Sequence, residues 1–145
     1  MTTMASSFSH LKQGKLSSVT YTLWDVQGEP KLEVKFAGET NKPYFNEVLK
    51  RAEHIQRAKR KIDAGLIAEN RTRDRQSFPK YVIVGWKDVK DADGKEVSFT
   101  TEDCESFLNA LDDDQFDGIR EFAKDASNFR EFVDKGNTPG NSQSV

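Results

Sequence analysis

Two short segments near the N-terminus alternate apolar and polar residues, and this pattern constrains the fold more than any other feature of the chain. Residues 19–26 are rich in β-branched and aromatic side chains, and residues 31–36 carry an apolar side chain at every second position. A period of two is typical of a strand with one buried face. Gly28 and Pro30 lie between the segments and favour a turn. The sequence therefore predicts a β-hairpin over residues 19–36.

Helical periodicity follows the predicted hairpin. Asn41 is a suitable N-cap, and Pro43 would lie in the first turn, where its missing N–H costs no hydrogen bond. Gly65 is expected to end this helix, and a shorter helical segment is expected to follow over about residues 66–76. The apolar positions of the first helix are Phe45, Val48, Leu49, Ala52, Ile55 and Ile62.

Residues 81–86, with the sequence Tyr-Val-Ile-Val-Gly-Trp, form an apolar block whose secondary structure is left open by periodicity. Pro79 interrupts the helical pattern that precedes the block. The β-branched residues favour a buried strand. A helix would instead place Phe78, Val82 and Trp86 on one face.

A turn and two amphipathic helices are expected after this block. The Asp-Ala-Asp-Gly sequence at residues 91–94 predicts the turn. Thr100 or Thr101 is expected to cap a helix with acidic residues in its first turns, where they suit the helix dipole. A last helix is expected around residues 116–123.

These elements together predict an α+β fold that is mainly α, in which an N-terminal β-hairpin precedes a small helical domain with a short Asp-Gly turn. A chain of 145 residues has room for one such domain. The expected organisation is a flexible N-terminal arm over residues 1–18, a single domain over residues 19–135 and a disordered tail over residues 136–145. Within the domain, the hairpin spans residues 19–36 and the helical region spans residues 41–135.

The composition indicates a soluble protein that does not enter a membrane. Hydrophobic residues make up 35% of the chain and charged residues 32%. No apolar run approaches the roughly 18 residues that a membrane helix needs. The first residues lack the basic region and apolar core of a secretory signal. Cys104 is the only cysteine, which excludes an internal disulfide and suits a reducing cytoplasm.

Charge is distributed unevenly along the chain, although the net charge is only −2. Residues 42–80 contain eleven basic and five acidic groups, whereas residues 81–145 contain seven basic and fifteen acidic groups. Such opposite fields favour pairing of the two halves within one molecule, or head-to-tail association between copies. Two solvated helix faces would give the same composition.

The residue types that carry catalysis or metal binding do not occur at the required spacing. An EF-hand loop built around Gly94 would lack suitable ligands at both of its ends. His10 and His54 are far apart in the chain, and Cys104 lies among acidic residues that raise a thiol pKa. No glycine-rich phosphate loop is present. We therefore expect neither an enzyme nor a bound metal or cofactor.

The basic residues of the middle segment could form a stripe that engages nucleic-acid phosphates. The overall charge is negative, however, and no aromatic residues lie between the basic ones as a stacking platform. Nucleic-acid binding is therefore the less favoured interpretation.

A series of residues in the second half resembles tail assembly chaperones of tailed bacteriophages. The series comprises Tyr81 to Trp86, Val89, Asp93-Gly94, Val97, Phe99-Thr100, Phe107-Leu108 and Asn128-Phe129. The resemblance implies a mainly helical protein, which favours the helix for residues 81–86. It also implies a tail-morphogenesis protein of the host cytoplasm that holds tail-tube or tape-measure subunits soluble during assembly.

Other roles remain open beside the chaperone. The N-terminal hairpin and Trp24 would suit a minor structural protein that is retained in the virion and binds other virion proteins. A nucleic-acid-binding phage accessory protein is a further alternative, and self-association fits the charge distribution.

Either protein-binding role requires association surfaces rather than a cleft. Aromatic residues dominate interface energies, so Tyr81, Trp86 and Phe99 are candidate anchors, with packing in the core as the alternative. The candidates for an electrostatic contact with an acidic partner, or with the acidic half of a second copy, are Lys59, Arg60, Arg71, Arg73 and Arg75.

Overall fold

The computed structural model describes residues 8–11 and 14–131. The strands are β1 (Gly14–Lys15), β2 (Val19–Thr22), β3 (Lys31–Val34), β4 (Ile83–Lys87) and β5 (Arg130–Glu131). The helices are α1 (Lys42–Arg57), α2 (Ala64–Tyr81), α3 (Thr101–Ala110) and α4 (Asp113–Lys124). Short 3-10 helices occupy Ser9–Leu11 and Ala126–Phe129. The predicted α+β fold, mainly α with N-terminal strands, is confirmed.

The predicted β-hairpin is confirmed. Strands β2 and β3 pair antiparallel, with Val19 opposite Val34. The side chains of Leu32 and Val34 are fully buried, as the alternation predicts. Gly28 lies in the connecting turn with a φ of +85°, a conformation that costs glycine little because it has no Cβ.

The helix that the resemblance favoured for residues 81–86 is wrong. Ile83–Lys87 forms β4, which pairs antiparallel with β3 and places Trp86 opposite Leu32. Strand β3 lies in the middle of the order β2-β3-β4, so both of its edges are hydrogen-bonded. The β-branched residues of β4 suit a strand that pairs with β3, and Ile83 of β4 is buried against the core. Of this block, Tyr81 is the last residue of α2 and Val82 is its C-cap.

The predicted boundaries of the first two helices are also wrong. Helix α1 ends at Arg57, and Lys59 adopts a φ of +52° in the connection. Helix α2 begins after Asp63, whose carboxylate accepts a hydrogen bond from the Leu66 N–H at 2.9 Å. An N-cap carboxylate therefore starts a new helix where Gly65 was expected to end one.

Helix α2 is longer than the sequence predicts, because it continues through Pro79 to Tyr81. Proline in the last turn removes one intrahelical hydrogen bond, and the buried Pro79 ring contributes apolar surface to the core in return.

The core lies between the three-stranded sheet and helices α2, α3 and α4. Phe78 is fully buried near its centre and meets Tyr44 and Phe116 edge-on, with ring centroids 5.5 and 5.6 Å away. Leu108 and Ile119 complete this cluster from α3 and α4. The C-terminal helices thus bury one face each, as their amphipathic pattern predicts.

Two local predictions in the C-terminal half are confirmed. Thr100 caps α3, because its hydroxyl accepts a hydrogen bond from the Asp103 N–H at 3.0 Å. The Asp-Gly turn places Gly94 at a φ of +80°, and the chain returns so that Lys90 pairs with Glu96.

The two ends of the described chain meet in a second sheet. Strand β1 pairs antiparallel with β5, with Gly14 opposite Glu131. The last residues of the predicted N-terminal arm are therefore hydrogen-bonded to the domain. Residues 1–7 and 12–13 of that arm, and the tail predicted over residues 136–145, lie outside the described residues.

Candidate interaction surface

Helices α1 and α2 form a helical hairpin, and residues 49–69 make up its far end, which we call the hairpin end. Its single buried residue is Leu66. Three large apolar side chains are exposed there: Leu49 by 52%, Ile62 by 85% and Ile67 by 51%. The sequence predicted an apolar face for the first helix, but Tyr44, in the first turn of α1, is the one buried residue of that helix. Large apolar side chains that remain exposed are candidates for contacts with a partner.

Basic residues surround these apolar side chains. Arg57 pairs with Glu53 one turn away, and Arg60 pairs with Glu69 at 2.8 Å. Lys59 and Lys61 are exposed and have no ion pair among the residues that the structure describes. The hairpin end therefore combines exposed apolar area with unpaired positive charge. Of the predicted contact residues, it contains Lys59 and Arg60, while Arg73 lies one helical turn beyond it, 4.0 Å from Glu69.

A buried carboxylate fixes the base of the helical hairpin. Asp74 of α2 is fully buried and accepts hydrogen bonds at 2.8 Å from the Tyr44 hydroxyl, from Arg51 and from Arg120. The Lys124 ammonium lies 3.3 Å away. Burial by itself raises the pKa of Asp74, but Lys124 and the two guanidinium groups outweigh it and hold that pKa below its ordinary value. Asp74 therefore ties α1 and α4 to α2 as a charged group.

Burial raises the pKa of the Tyr44 phenol, and the charge of Asp74 and the hydrogen bond to it raise this pKa further. The phenol therefore stays protonated and donates a hydrogen bond to the carboxylate. The Tyr44 hydroxyl thus anchors the first turn of α1 to α2, and Arg51 adds a second anchor further along the same helix.

Arg71 and Arg75 are turned toward the acidic half of the same molecule. Arg71 donates two hydrogen bonds to Asp117, at 2.8 and 3.0 Å, and Arg75 contacts Asp113 at 2.9 Å. Arg75 also donates to the backbone oxygens of Leu108 and Leu111. The Arg71 hydrogen bond lowers the pKa of Asp117 to about 2. These ion pairs join the basic and acidic halves within one molecule, which is one of the alternatives that the charge distribution left open.

The predicted aromatic anchors are half-buried and packed. The Trp86 ring meets Phe99 and Phe107 edge-on, with ring centroids 5.1 and 5.5 Å away, and its Nε1–H donates to the Val97 oxygen at 2.7 Å. Tyr81 also packs against the core, and its backbone oxygen accepts a hydrogen bond from the Asn41 side chain. This packing fastens the Asp-Gly turn to the sheet and leaves only part of each ring free.

Sequence reasoning did not select Ile62 as a contact residue, and it considered Trp24 only for the virion protein. Trp24 is 64% exposed at the β2–β3 turn, and Ile62 is 85% exposed between α1 and α2. Helical periodicity marked Leu49 and Ile62 as one face of a helix, but periodicity does not reveal what covers that face. Recognition of Asp63 as the N-cap of a second helix would have placed Ile62 in the connection between two helices.

The described residues hold little that is suited to acid–base or metal chemistry. Cys104 is fully buried, and burial followed by the charge of Glu105 raises its thiol pKa to about 12. Within residues 8–11 and 14–131, no group of three or more His, Cys, Asp or Glu side chains could hold a metal ion. No helix in those ranges has the length and apolar character to cross a bilayer.

The chain matches the model of a known protein family. The model of the family described as YdaY prophage protein matches residues 39–139, which run from just before α1 to beyond β5. No curated protein and no solved structure matches the chain. Since the family match covers more than half of the sequence, the chain belongs to the YdaY prophage protein family and is a phage-derived protein.

Proposed function

We propose that this protein acts in phage tail morphogenesis as a non-enzymatic binding protein, which keeps a tail-tube or tape-measure subunit soluble in the host cytoplasm during assembly. The observation that carries the proposal is the exposure of three large apolar side chains of the hairpin end, namely Leu49, Ile62 and Ile67. Phage origin follows from the family, and the role in the tail is supported by the resemblance of residues 81–129 to tail assembly chaperones.

The shape of the hairpin suits a binding protein. Helix α1 is about 24 Å long, and two of its side chains, Tyr44 in its first turn and Arg51 beyond its midpoint, hold it to Asp74 of α2. Among the described helices and strands, α1 has extensive contacts with α2 alone. Exposed apolar side chains on such a helical hairpin can enter a groove or cover an apolar face of a partner.

The charge of the hairpin end indicates the chemistry of the partner. Lys59 and Lys61 have no ion pair among the described residues, whereas Arg71 and Arg75 are engaged with α4. A partner surface with apolar side chains bordered by carboxylates would match both features. Charge at the border of an interface contributes mainly to partner choice and association rate, and the apolar residues contribute most of the affinity.

Co-expression tests the proposal. The protein is produced together with the tail-tube or the tape-measure protein of the same phage, and the soluble fraction of that partner is measured with and without it. We expect the soluble fraction to rise with the native protein and to fall back with the double variant Leu49→Ser/Ile67→Ser. Both positions are half exposed, so serine there has little effect on folding.

Val84→Ser is the matched control, because Val84 is an exposed apolar residue of β4 outside the hairpin end, with 47% exposure. This variant should keep the same fraction of the partner soluble as the native protein does. If the native protein leaves the solubility of both tail proteins unchanged, the proposal is wrong. An equal loss with Val84→Ser would mean that the hairpin end is not the binding surface.

A structural protein retained in the virion is a second candidate, favoured by the exposure of Trp24 at the tip of the β2–β3 hairpin. An indole with 64% exposure is a suitable anchor for a permanent contact. Mass spectrometry of purified particles distinguishes the two roles. A fixed copy number in the particle supports the virion protein, and absence from the particle supports the chaperone.

A further inference from the structure

A groove of about 530 Å³ lies where the two ends of the described chain meet the start of α1. Its floor is apolar: the Phe36 and Phe129 rings lie 5.5 Å apart, with Leu16 and Pro43 beside them. Phe129 is almost completely buried, whereas Phe36 keeps part of its ring accessible. The groove is separate from the hairpin end, because it adjoins the N-terminus of α1 and the hairpin end begins about two turns along that helix.

Every charged residue that lines this groove is basic. These residues are Lys15, Lys35, Lys42 and Arg130. All four are exposed, and none has an ion pair with any residue in the described ranges. They come from four different parts of the chain, namely β1, the segment after β3, the start of α1 and β5.

The four basic residues of the groove differ from the less exposed arginines of the helices, which are paired. Arg51, Arg71, Arg75 and Arg120 are each directed to a carboxylate at 2.8–2.9 Å. Near the groove, Asp125 experiences the charge of Arg130, but its carboxylate accepts its hydrogen bonds from Ser127. Among the described residues, the groove therefore carries positive charge that no carboxylate pairs.

We propose that this groove binds an acidic peptide segment of a partner protein, with an apolar side chain against Phe36 and Phe129 and carboxylates on the surrounding lysines and Arg130. Opposite charge selects the segment, and the apolar floor distinguishes it from a free phosphate, which has no apolar part to bury. This site goes beyond the proposed function, since it is separate from the hairpin end and has its own ligand chemistry.

The probe for this site is a fluorescein-labelled synthetic peptide of sequence DEDFEDE, titrated with the full-length protein and followed by fluorescence anisotropy. Two comparison peptides carry serine in place of phenylalanine, or lysine in place of every acidic residue. A labelled single-stranded oligothymidylate tests nucleic acid. We expect the first peptide to bind most tightly and its affinity to fall as salt is raised, because exposed charges are screened.

The double variant Lys35→Glu/Arg130→Glu tests the location. Reversal of two charges around the groove should weaken binding of the acidic peptide by about tenfold. Lys80→Glu is the control, because Lys80 of α2 is exposed, has no ion pair within the described part of the chain and does not line the groove. It should leave the affinity unchanged. Thermal unfolding of each variant confirms that the fold is retained.

Several outcomes would overturn the proposal. These are no binding of the acidic peptide, equal binding of the serine peptide, tighter binding of the oligothymidylate, or an equal loss of affinity with Lys80→Glu. A gain in affinity on Asp134→Ser would show that the chain's own carboxylate competes for the groove, and would overturn the assignment to a partner. Because Leu49→Ser/Ile67→Ser leaves the groove intact, failure at one site is distinguishable from failure at the other.

Discussion

Replacement of Asp74 by asparagine tests whether the buried carboxylate holds the helical hairpin to the domain. The amide keeps the size of the side chain but removes the charge that Arg51 and Arg120 contact at 2.8 Å. The side chains of Arg51 and Arg120 are only 10% and 17% exposed, so water would solvate their charges poorly once the carboxylate is gone. Removal of one partner from a buried ion pair costs about 3–5 kcal/mol.

We expect the lower end of that range for Asp74→Asn, about 3 kcal/mol. Arg120 keeps a second carboxylate, Asp117 at 2.9 Å, and the Lys124 side chain is 42% exposed, so both cations retain some compensation. For a domain of this size, 1 kcal/mol corresponds to about 4 °C in the melting temperature, which gives a decrease of about 12 °C. Urea denaturation should show a lower midpoint with an unchanged slope.

Asp113→Asn is the matched control for this measurement. Asp113 also pairs with arginines, Arg71 and Arg75, but 67% of its side chain is exposed. Exposed pairs contribute about 0.5 kcal/mol, so this variant should differ little from the native protein. A loss below about 1 kcal/mol in Asp74→Asn, or equal losses in the two variants, would refute the reasoning that burial makes Asp74 decisive.

Three further predictions follow from the structure. The Arg71 hydrogen bond lowers the folded-state pKa of Asp117 to about 2, below the pKa of this carboxyl in the unfolded chain. The ionised Asp117 therefore stabilises the fold above the unfolded pKa, and this stabilisation is lost as pH falls from about 4 toward 2. Urea midpoints should decrease across this pH range, and less steeply in Asp117→Asn. The buried Cys104 thiol, whose pKa burial raises to about 12, should react with a thiol-specific disulfide reagent only slowly until urea unfolds the protein, and rapid native labelling would contradict its burial. Thr100→Ala should cost about 1 kcal/mol in urea denaturation through loss of the α3 cap, whereas Thr72→Ala, on the exposed side of α2, should cost much less.

Local signals in the sequence predicted the elements that depend on local contacts. The alternation over residues 19–36 predicts β2 and β3 because each strand buries one face, and Thr100 predicts the start of α3 because a cap acts within four residues. The extent of α2 was missed, since Asp63 was not recognised as its cap and Pro79 was treated as a break although the core covers its ring.

Features that depend on distant contacts could not be predicted from the same signals. Residues 83–87 become a strand because they pair with β3, which precedes them by about 50 residues, and the resemblance favoured a helix instead. Arg71 and Arg75 were recognised as basic candidates, but their engagement with Asp113 and Asp117 depends on where α4 packs. The groove was not foreseen, because its four basic residues converge only in the folded chain.

The central claim is that the hairpin end contacts a tail subunit, and hydrogen exchange measured with and without that subunit tests it most directly. Residues 49–69 bury only Leu66, so their amides should exchange readily in the free protein through local opening. We predict slower exchange over residues 49–69 in the presence of the tail-tube or tape-measure protein, with little change in α3. Unchanged exchange over residues 49–69, together with protection elsewhere, would contradict the account.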